Sequence, residues 1–199
     1  MATLTKEVKQ YRKPSHDIDP IFANRWSPRA MTGEALQDDE LLPLFEAARW
    51  APSSFNNQHW RFLYAKRDTP QWEKFLNLLI EFNRSWCSKA GALVVVISKK
   101  TFDYNGKPSR SHSFDAGAAW ENLALEGARR KLVVHGLEGF DYDKAKDALN
   151  VPDDYSVEIM VAIGKRAKKE TLPKELMERE QPSDRKPLKD IAWEGGFKI

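Results

Sequence analysis

Two short segments concentrate side chains able to hold a charged or a flat polar ligand. Arg25-Trp26-Ser27-Pro28-Arg29 brings two guanidiniums and a hydroxyl within five residues. Arginine offers a planar fork of donors that matches phosphate oxygens, so the grouping suits a phosphate ester. An exposed basic turn would present the same residues. Ala51-Pro52-Ser53-Ser54-Phe55-Asn56-Asn57-Gln58-His59-Trp60 places five hydroxyl or amide side chains together. Carboxamides both donate and accept, as the alternating N–H and C=O edge of a flat heterocycle requires. A capped polar loop is the plainer alternative.

Other familiar chemistries lack their residues. Neither G-x-G-x-x-G nor G-x-x-x-x-G-K-[ST] occurs, which excludes a Rossmann pyrophosphate turn and a Walker loop. His16, His59, His112 and His135 have no paired ligand spacing, and Cys87 is the single cysteine, so neither a zinc site nor a disulfide framework is expected. A lone cysteine of this kind reads as a buried apolar filler and favours a reducing compartment. The 199 residues suit one compact domain, and 41% hydrophobic with 11% aromatic residues suffices for a core. The longest apolar run, Ala92 to Ile97, falls far short of a membrane span, and MATLTKEVKQYRK has no apolar signal region. The expectation is a cytoplasmic protein without membrane contact. Net charge is +3, with the basic excess concentrated at Lys165 to Lys169 and at Arg25 with Arg29. No basic stripe interleaved with aromatics accompanies it, so nucleic acid is not an expected partner.

The elements that must position these segments follow from periodicity. Residues 1–20 form a lead-in broken by Pro14 and Pro20, ahead of a single domain over residues 21–199. Leu41, Leu42, Leu44, Phe45, Ala48 and Trp50 give a helix from about Asp39 one apolar face. Pro43 fits it only within the first turn, where its missing N–H is not needed. The helix must stop before Ala51-Pro52, because proline disfavours the α conformation in the preceding residue. A strand over Arg61–Ala65, a helix over about Pro70–Phe82 and a short helix around Trp86 follow. Ala92–Ile97 reads as a strand buried on both faces. Phe102–Ser113, with Asn105-Gly106 and Pro108, is a loop. Phe114–Lys131 is a long helix, Leu132–His135 a strand, Tyr142–Leu149 a helix and Ser156–Ile163 a strand. Prolines and charges over residues 167–199 predict an extended tail with at most a helical turn near Glu175. Lacking a core of its own, it must lie across another surface.

Taken in order, these segments resemble the FMN-dependent nitroreductase family. Arg25, Ser27 and Arg29 match its opening R-x-S-x-R. Ala51, Pro52, Ser53, Asn56, Gln58 and Trp60 match A-P-S-x-x-N-x-Q-P-W, with His59 where proline is usual. Asn83 and Trp86 match N-x-x-W, with Gly91 where proline is frequent. The run from Asp115 to Leu123 resembles the central D-x-G-A-A-x-x-N-L helix, and Gly136 to Asp141 resembles the G-x-x-G-F-D turn. Ile163-Gly164 and Asp184-Arg185-Lys186-Pro187-Leu188 match the closing strand and basic tail. The likeness covers about residues 20–192, and its strength lies in the order of the pieces.

The resemblance implies a nitroreductase-like α+β fold: a central, mostly antiparallel sheet flanked by helices, with extended termini, assembled as an intertwined homodimer. It implies that Arg25, Ser27, Arg29 and, from the tail, Arg185 hold the FMN phosphate and ribityl chain, with Trp26 contributing its backbone. Pro52, Ser53, Ser54 and Asn56 would line the isoalloxazine from the partner subunit. Asn83 would face the pyrimidine edge, and the N–H groups of Glu138 and Gly139 would face N5 and O4. Arg29 would also stabilise the reduced flavin near its N1–C2=O edge. The apolar helix from Ala116 to Ala128 would serve a dimer core or simply the domain core. NADH or NADPH would deliver hydride, and a small organic acceptor such as a nitroaromatic or quinone would take the electrons. No catalytic side chain and no metal is assigned. A flavin-binding or flavin-delivering protein without efficient turnover would share every one of these contacts. Two departures stand out. Arg130-Lys131 precede Leu132 where many relatives have glycine, and Phe102–Ser113 is short and basic through Lys107 and Arg110, which suggests an open pocket with few dedicated contacts.

Overall fold

The computed structural model describes residues 3–197; residues 1, 2, 198 and 199, the outer ends of the expected lead-in and tail, lie outside the described residues. In chain order the helices and strands are α1 (Lys6–Lys9), α2 (Pro20–Asn24), α3 (Asp38–Arg49), β1 (Trp60–Lys66), α4 (Trp72–Leu76), α5 (Glu81–Cys87), β2 (Ala92–Lys99), α6 (His112–Arg129), β3 (Leu132–Leu137), α7 (Tyr142–Ala148), β4 (Tyr155–Lys165) and α8 (Lys174–Met177). The strands form one antiparallel sheet in the order β1-β2-β4-β3.

The sheet is covered on both faces, and β2 shows why its sequence is a continuous apolar run. Leu93, Val95 and Ile97 enter one core with Trp72, Phe75 and Trp86, while Ala92, Val94 and Val96 enter the other with Leu44, Ala119 and Leu123. A side-chain period of two divides a strand between opposite faces, so burial on both sides requires apolar residues at every position. Each such Val, Leu or Ile contributes about 1.5–3 kcal/mol by leaving water. The helix α6 packs along one face with α3; a Cβ on its Gly127 would stand 2.3 Å from Val134 Cγ2, so glycine permits the close approach to β3. Of the stretch from Ala116 to Ala128, Ala116, Ala119, Leu123, Ala124 and Gly127 are buried in the domain itself, whereas Phe114 and Gly117 point outward.

The structure corrects several boundaries. Pro43 lies in the second turn of α3, not the first, because the helix opens at Asp38 on a Gln37/Glu40 capping box. Burial of Leu41, Leu44 and Ala48 outweighs the single hydrogen bond that proline forfeits. Of the expected helix over Pro70–Phe82 only α4 forms, because Leu79 pairs with Phe140 and ends it, and the short helix expected around Trp86 is α5, which opens earlier, at Glu81. The lead-in contains α1, and α2 begins at its last residue, Pro20; residue periodicity suggested neither. The long helix starts two residues early, at His112, and β3 runs on through Gly136 to Leu137. No helix is long and apolar enough to cross a membrane among the described residues.

Candidate functional site

The segment after α2 and the tail meet around a cavity of about 300 Å³. Arg12, Arg25, Arg29, Arg179 and Arg185 line it together with Trp26, Ser27 and His135, and no carboxylate does. The four expected residues Arg25, Trp26, Ser27 and Arg29 are therefore brought together with Arg185, which lies 156 positions beyond Arg29 in the chain. Two further arginines, Arg12 and Arg179, were not expected. Their sequence surroundings are ordinary charged lead-in and tail, so only the fold reveals them.

Donors in this region outnumber acceptors. Arg25 Nε is buried without a hydrogen bond; its ion pair with Glu121, at 3.4 Å, is too poorly aligned to count as one. The guanidinium also lies 5.9 Å from the Trp120 ring, whose Nε1–H is likewise buried and without an acceptor. Arg29 faces the Trp86 ring at 5.9 Å, and burial chiefly holds its guanidinium below the usual arginine range. Unmet donors of this kind are costly to bury and call for an anionic or acceptor-rich ligand. His135 donates from Nδ1 to the Pro28 carbonyl at 2.8 Å, and burial depresses its pKa to about 4, so the ring is neutral among the arginines. The Trp26 ring stacks under the Arg166 guanidinium at 4.5 Å.

A second group adjoins through Trp86. Its indole packs against His135 at 4.7 Å between ring centroids, and its Nε1–H donates to Asn83 Oδ1 at 3.2 Å. Asn83 Nδ2 in turn donates to the Gly139 carbonyl at 3.1 Å, which leaves one amide hydrogen for another partner. Gly139 is fixed by that approach: a Cβ there would sit 2.2 Å from Asn83 Nδ2. Among the described residues, the N–H groups of Glu138 and Gly139 make no hydrogen bond, and the Glu138 side chain is exposed. Two adjacent unengaged N–H groups beside a carboxamide suit the polar edge of a flat ring.

Pro52, Ser53, Ser54 and Asn56 are elsewhere. They occupy the loop between α3 and β1 and do not line the arginine cavity. Asp115 near the start of α6 organises that loop. Its Oδ2 accepts from Ser54 N–H at 3.0 Å, His59 Nδ1 at 2.9 Å and Ser111 Oγ at 3.3 Å. His59 is fully buried and its Nε2 has no partner, so the histidine standing at the usual proline position is a fixed strut. Ser53 Oγ accepts from Gln58 N–H at 3.0 Å, and Phe55, Asn56 and Gln58 all adopt positive φ near 52°. The loop between β2 and α6 departs from the expectation of a merely short, basic segment. Its Phe102 and Tyr104 pack with Phe55 into an aromatic triad at 5.4–5.6 Å, and Asn57 ties the two loops by accepting from Asp103 N–H at 2.8 Å.

A model of the nitroreductase family matches residues 22–85 and 71–165. A crystal structure of an oxidoreductase containing FMN superposes with a TM-score of 0.90 at 44% identity, over 94% of this chain and 96% of that one. A nitroreductase candidate from Desulfovibrio desulfuricans, solved in complex with FMN, gives 0.70 at 25% identity over 92% of this chain and all of that one. Protein DrgA of Synechocystis sp. is 32% identical over 177 residues, covering 75% of this chain and 83% of its own. The chain belongs to the nitroreductase family.

Proposed function

We propose that this protein is an FMN-dependent oxidoreductase that takes electrons from NADH or NADPH and passes them to a small organic acceptor such as a quinone or nitroaromatic. The observation that carries the reading is the cavity lined by five arginines and no acid. A phosphate monoester dianion suits it better than a carboxylate, because several converging forks can share its oxygens. Arg25, Ser27, Arg29 and Arg185 would hold the phosphate and ribityl chain. Asn83 and the free N–H groups of Glu138 and Gly139 would face the polar edge of the ring. Bound FMN would supply the redox chemistry, accepting a hydride and returning electrons.

In this reading the protein's own residues bind, orient and polarise. The arginines anchor one end, and the N–H pair at 138–139 stabilises negative charge at the other without having to reorganise. Pro52, Ser53, Ser54 and Asn56 stand apart from the arginine cavity, so we assign them to the flavin of a second subunit in a homodimer. The aromatic triad beside them would border the acceptor space. A single buried thiol, Cys87, suits a reducing compartment such as the cytoplasm.

The experiment is anaerobic titration of the flavin-loaded protein with NADH and with NADPH, followed by a quinone. The visible flavin band should vanish and then return. Steady-state double-reciprocal plots should give parallel lines, since one ring face cannot hold both substrates. A flavin band untouched by either nicotinamide would refute the proposed donor.

A further inference from the structure

The segment bearing Arg25 and Arg29 has little to hold it from within. It follows a helix of five residues and joins the rest by one isolated bridge, Met31 with Arg166. Beside the His135 hydrogen bond to the Pro28 carbonyl, the contacts that fix its backbone come from the two ends of the chain. Arg12 of the lead-in, only 6% exposed, donates from Nη1 to the carbonyls of Ala23 at 2.7 Å and Arg25 at 2.6 Å. Its Nε donates to the tail carbonyl of Ser183 at 2.8 Å. Glu180 of the tail, also 6% exposed, accepts the Arg29 N–H on both oxygens at 2.9 and 3.0 Å and the Ala30 N–H at 2.9 Å. A carboxylate so buried is ordinarily matched by a close cation. Here the ion pair with Arg166 is long, at 3.7 Å, and the short hydrogen bonds of Glu180 go to two backbone amides. Glu180 does not line the arginine cavity; it acts on it through the Arg29 and Ala30 amides and through its charge, which favours the charged Arg29 guanidinium.

We propose that Arg12 and Glu180 are positioning residues for the arginine cradle, and that docking of residues 179–185 is coupled to binding of a phosphate ester there. This rests on reading that cavity as the FMN phosphate site. Arg12 ties the carbonyls at 23 and 25 to the tail, and Glu180 ties the amides at 29 and 30 to it. The directions of Arg25 and Arg29 are thus set by the same contacts that deliver Arg179 and Arg185. Without an anion the converging guanidiniums repel and oppose docking; Arg12 is held below the usual arginine range by burial and then by Arg185 and Arg25. A bound dianion cancels that repulsion, so ligand and docked tail stabilise each other by the same factor.

The test compares FMN with riboflavin, which lacks only the phosphate, on the full chain. Glu180→Ala should raise the FMN Kd by about 10-fold or more and leave riboflavin within about 2-fold. Glu180→Gln, whose amide oxygen can still accept an N–H, should recover most of the loss. A merely structural role would weaken both ligands together, with glutamine no better than alanine, and that result overturns the proposal. So does an unchanged FMN Kd in Glu180→Ala. If the wild type itself binds FMN no better than riboflavin, the phosphate reading falls and takes the proposal with it. Where Glu180→Ala fails to fold, the wild type carries the test. Tryptic cleavage after Arg179 and Arg185 should slow several-fold with saturating FMN but not with riboflavin, and equal rates with both overturn the coupling.

Discussion

At the scale of the residue, the guanidiniums make the sharpest demands. Charge-assisted hydrogen bonds are worth about 1.5–3 kcal/mol each, so Arg25→Ala or Arg29→Ala should weaken FMN roughly 10- to 100-fold. Fluorescence titration checks this, and an unchanged Kd in both variants would remove them from the phosphate site. His135 makes a different prediction. Its pKa is depressed from 6.5 to about 4, chiefly by burial. The unfolded chain therefore binds more protons between those values, so stability is full above about pH 6.5 and is lost as pH falls toward about 4. A shift of this size corresponds to at most about 3 kcal/mol. His135→Asn, which removes the titrating ring while keeping a donor for the Pro28 carbonyl, should flatten the dependence of the urea midpoint over that window. A wild-type midpoint independent of pH there would show that the ring is not held neutral by the fold.

At the scale of the element, the loop from Pro52 to Gln58 is the strained part. Positive φ at Phe55, Asn56 and Gln58 costs on the order of 1 kcal/mol per residue and persists only where surroundings over-determine it. Asp115 supplies that determination, so Asp115→Ala, which strands the Ser54 N–H and the His59 ring, should destabilise the protein by about 3 kcal/mol. Hydrogen exchange at the Ser54 amide should quicken in the same variant. Exchange no faster than wild type would mean that the loop is held by other contacts. The polar character of this loop was legible in its residues, but its strut was not, because Asp115 lies 61 positions beyond Ser54. Strand β2 and helix α6 were legible for the opposite reason: an unbroken β-branched run and a 3.6-residue spacing of Ala and Leu are local signals. The early end of α4 comes from pairing with Phe140, a tertiary contact, and propensity alone favoured a helix running on to Phe82. Arg25 and Arg29 could be read as a pair; Arg12, Arg179 and Glu180 could not, since lead-in and tail approach them only after folding.

At the scale of the whole molecule, the two halves of the proposed flavin site lie apart in one chain, which is the reason for assigning them to two subunits. Sedimentation at micromolar concentration should give about twice the 22.9 kDa chain mass. A monomer with FMN still bound would contradict that assignment. Phe114 faces outward at 81% exposure, and a Cβ added at nearby Gly117 would meet nothing within 4 Å. The two give α6 an open surface within the described residues. Lead-in and tail both line the arginine cavity, so in the proposed reading both ends of the chain contribute to the FMN site. The central claim is that this apparatus holds the phosphate of FMN. Titrating the flavin-free protein with FMN and then with riboflavin tests it most directly: FMN should bind at least about 10-fold tighter, the increment expected from a single charge-assisted contact, and equal affinity for the two would contradict the account.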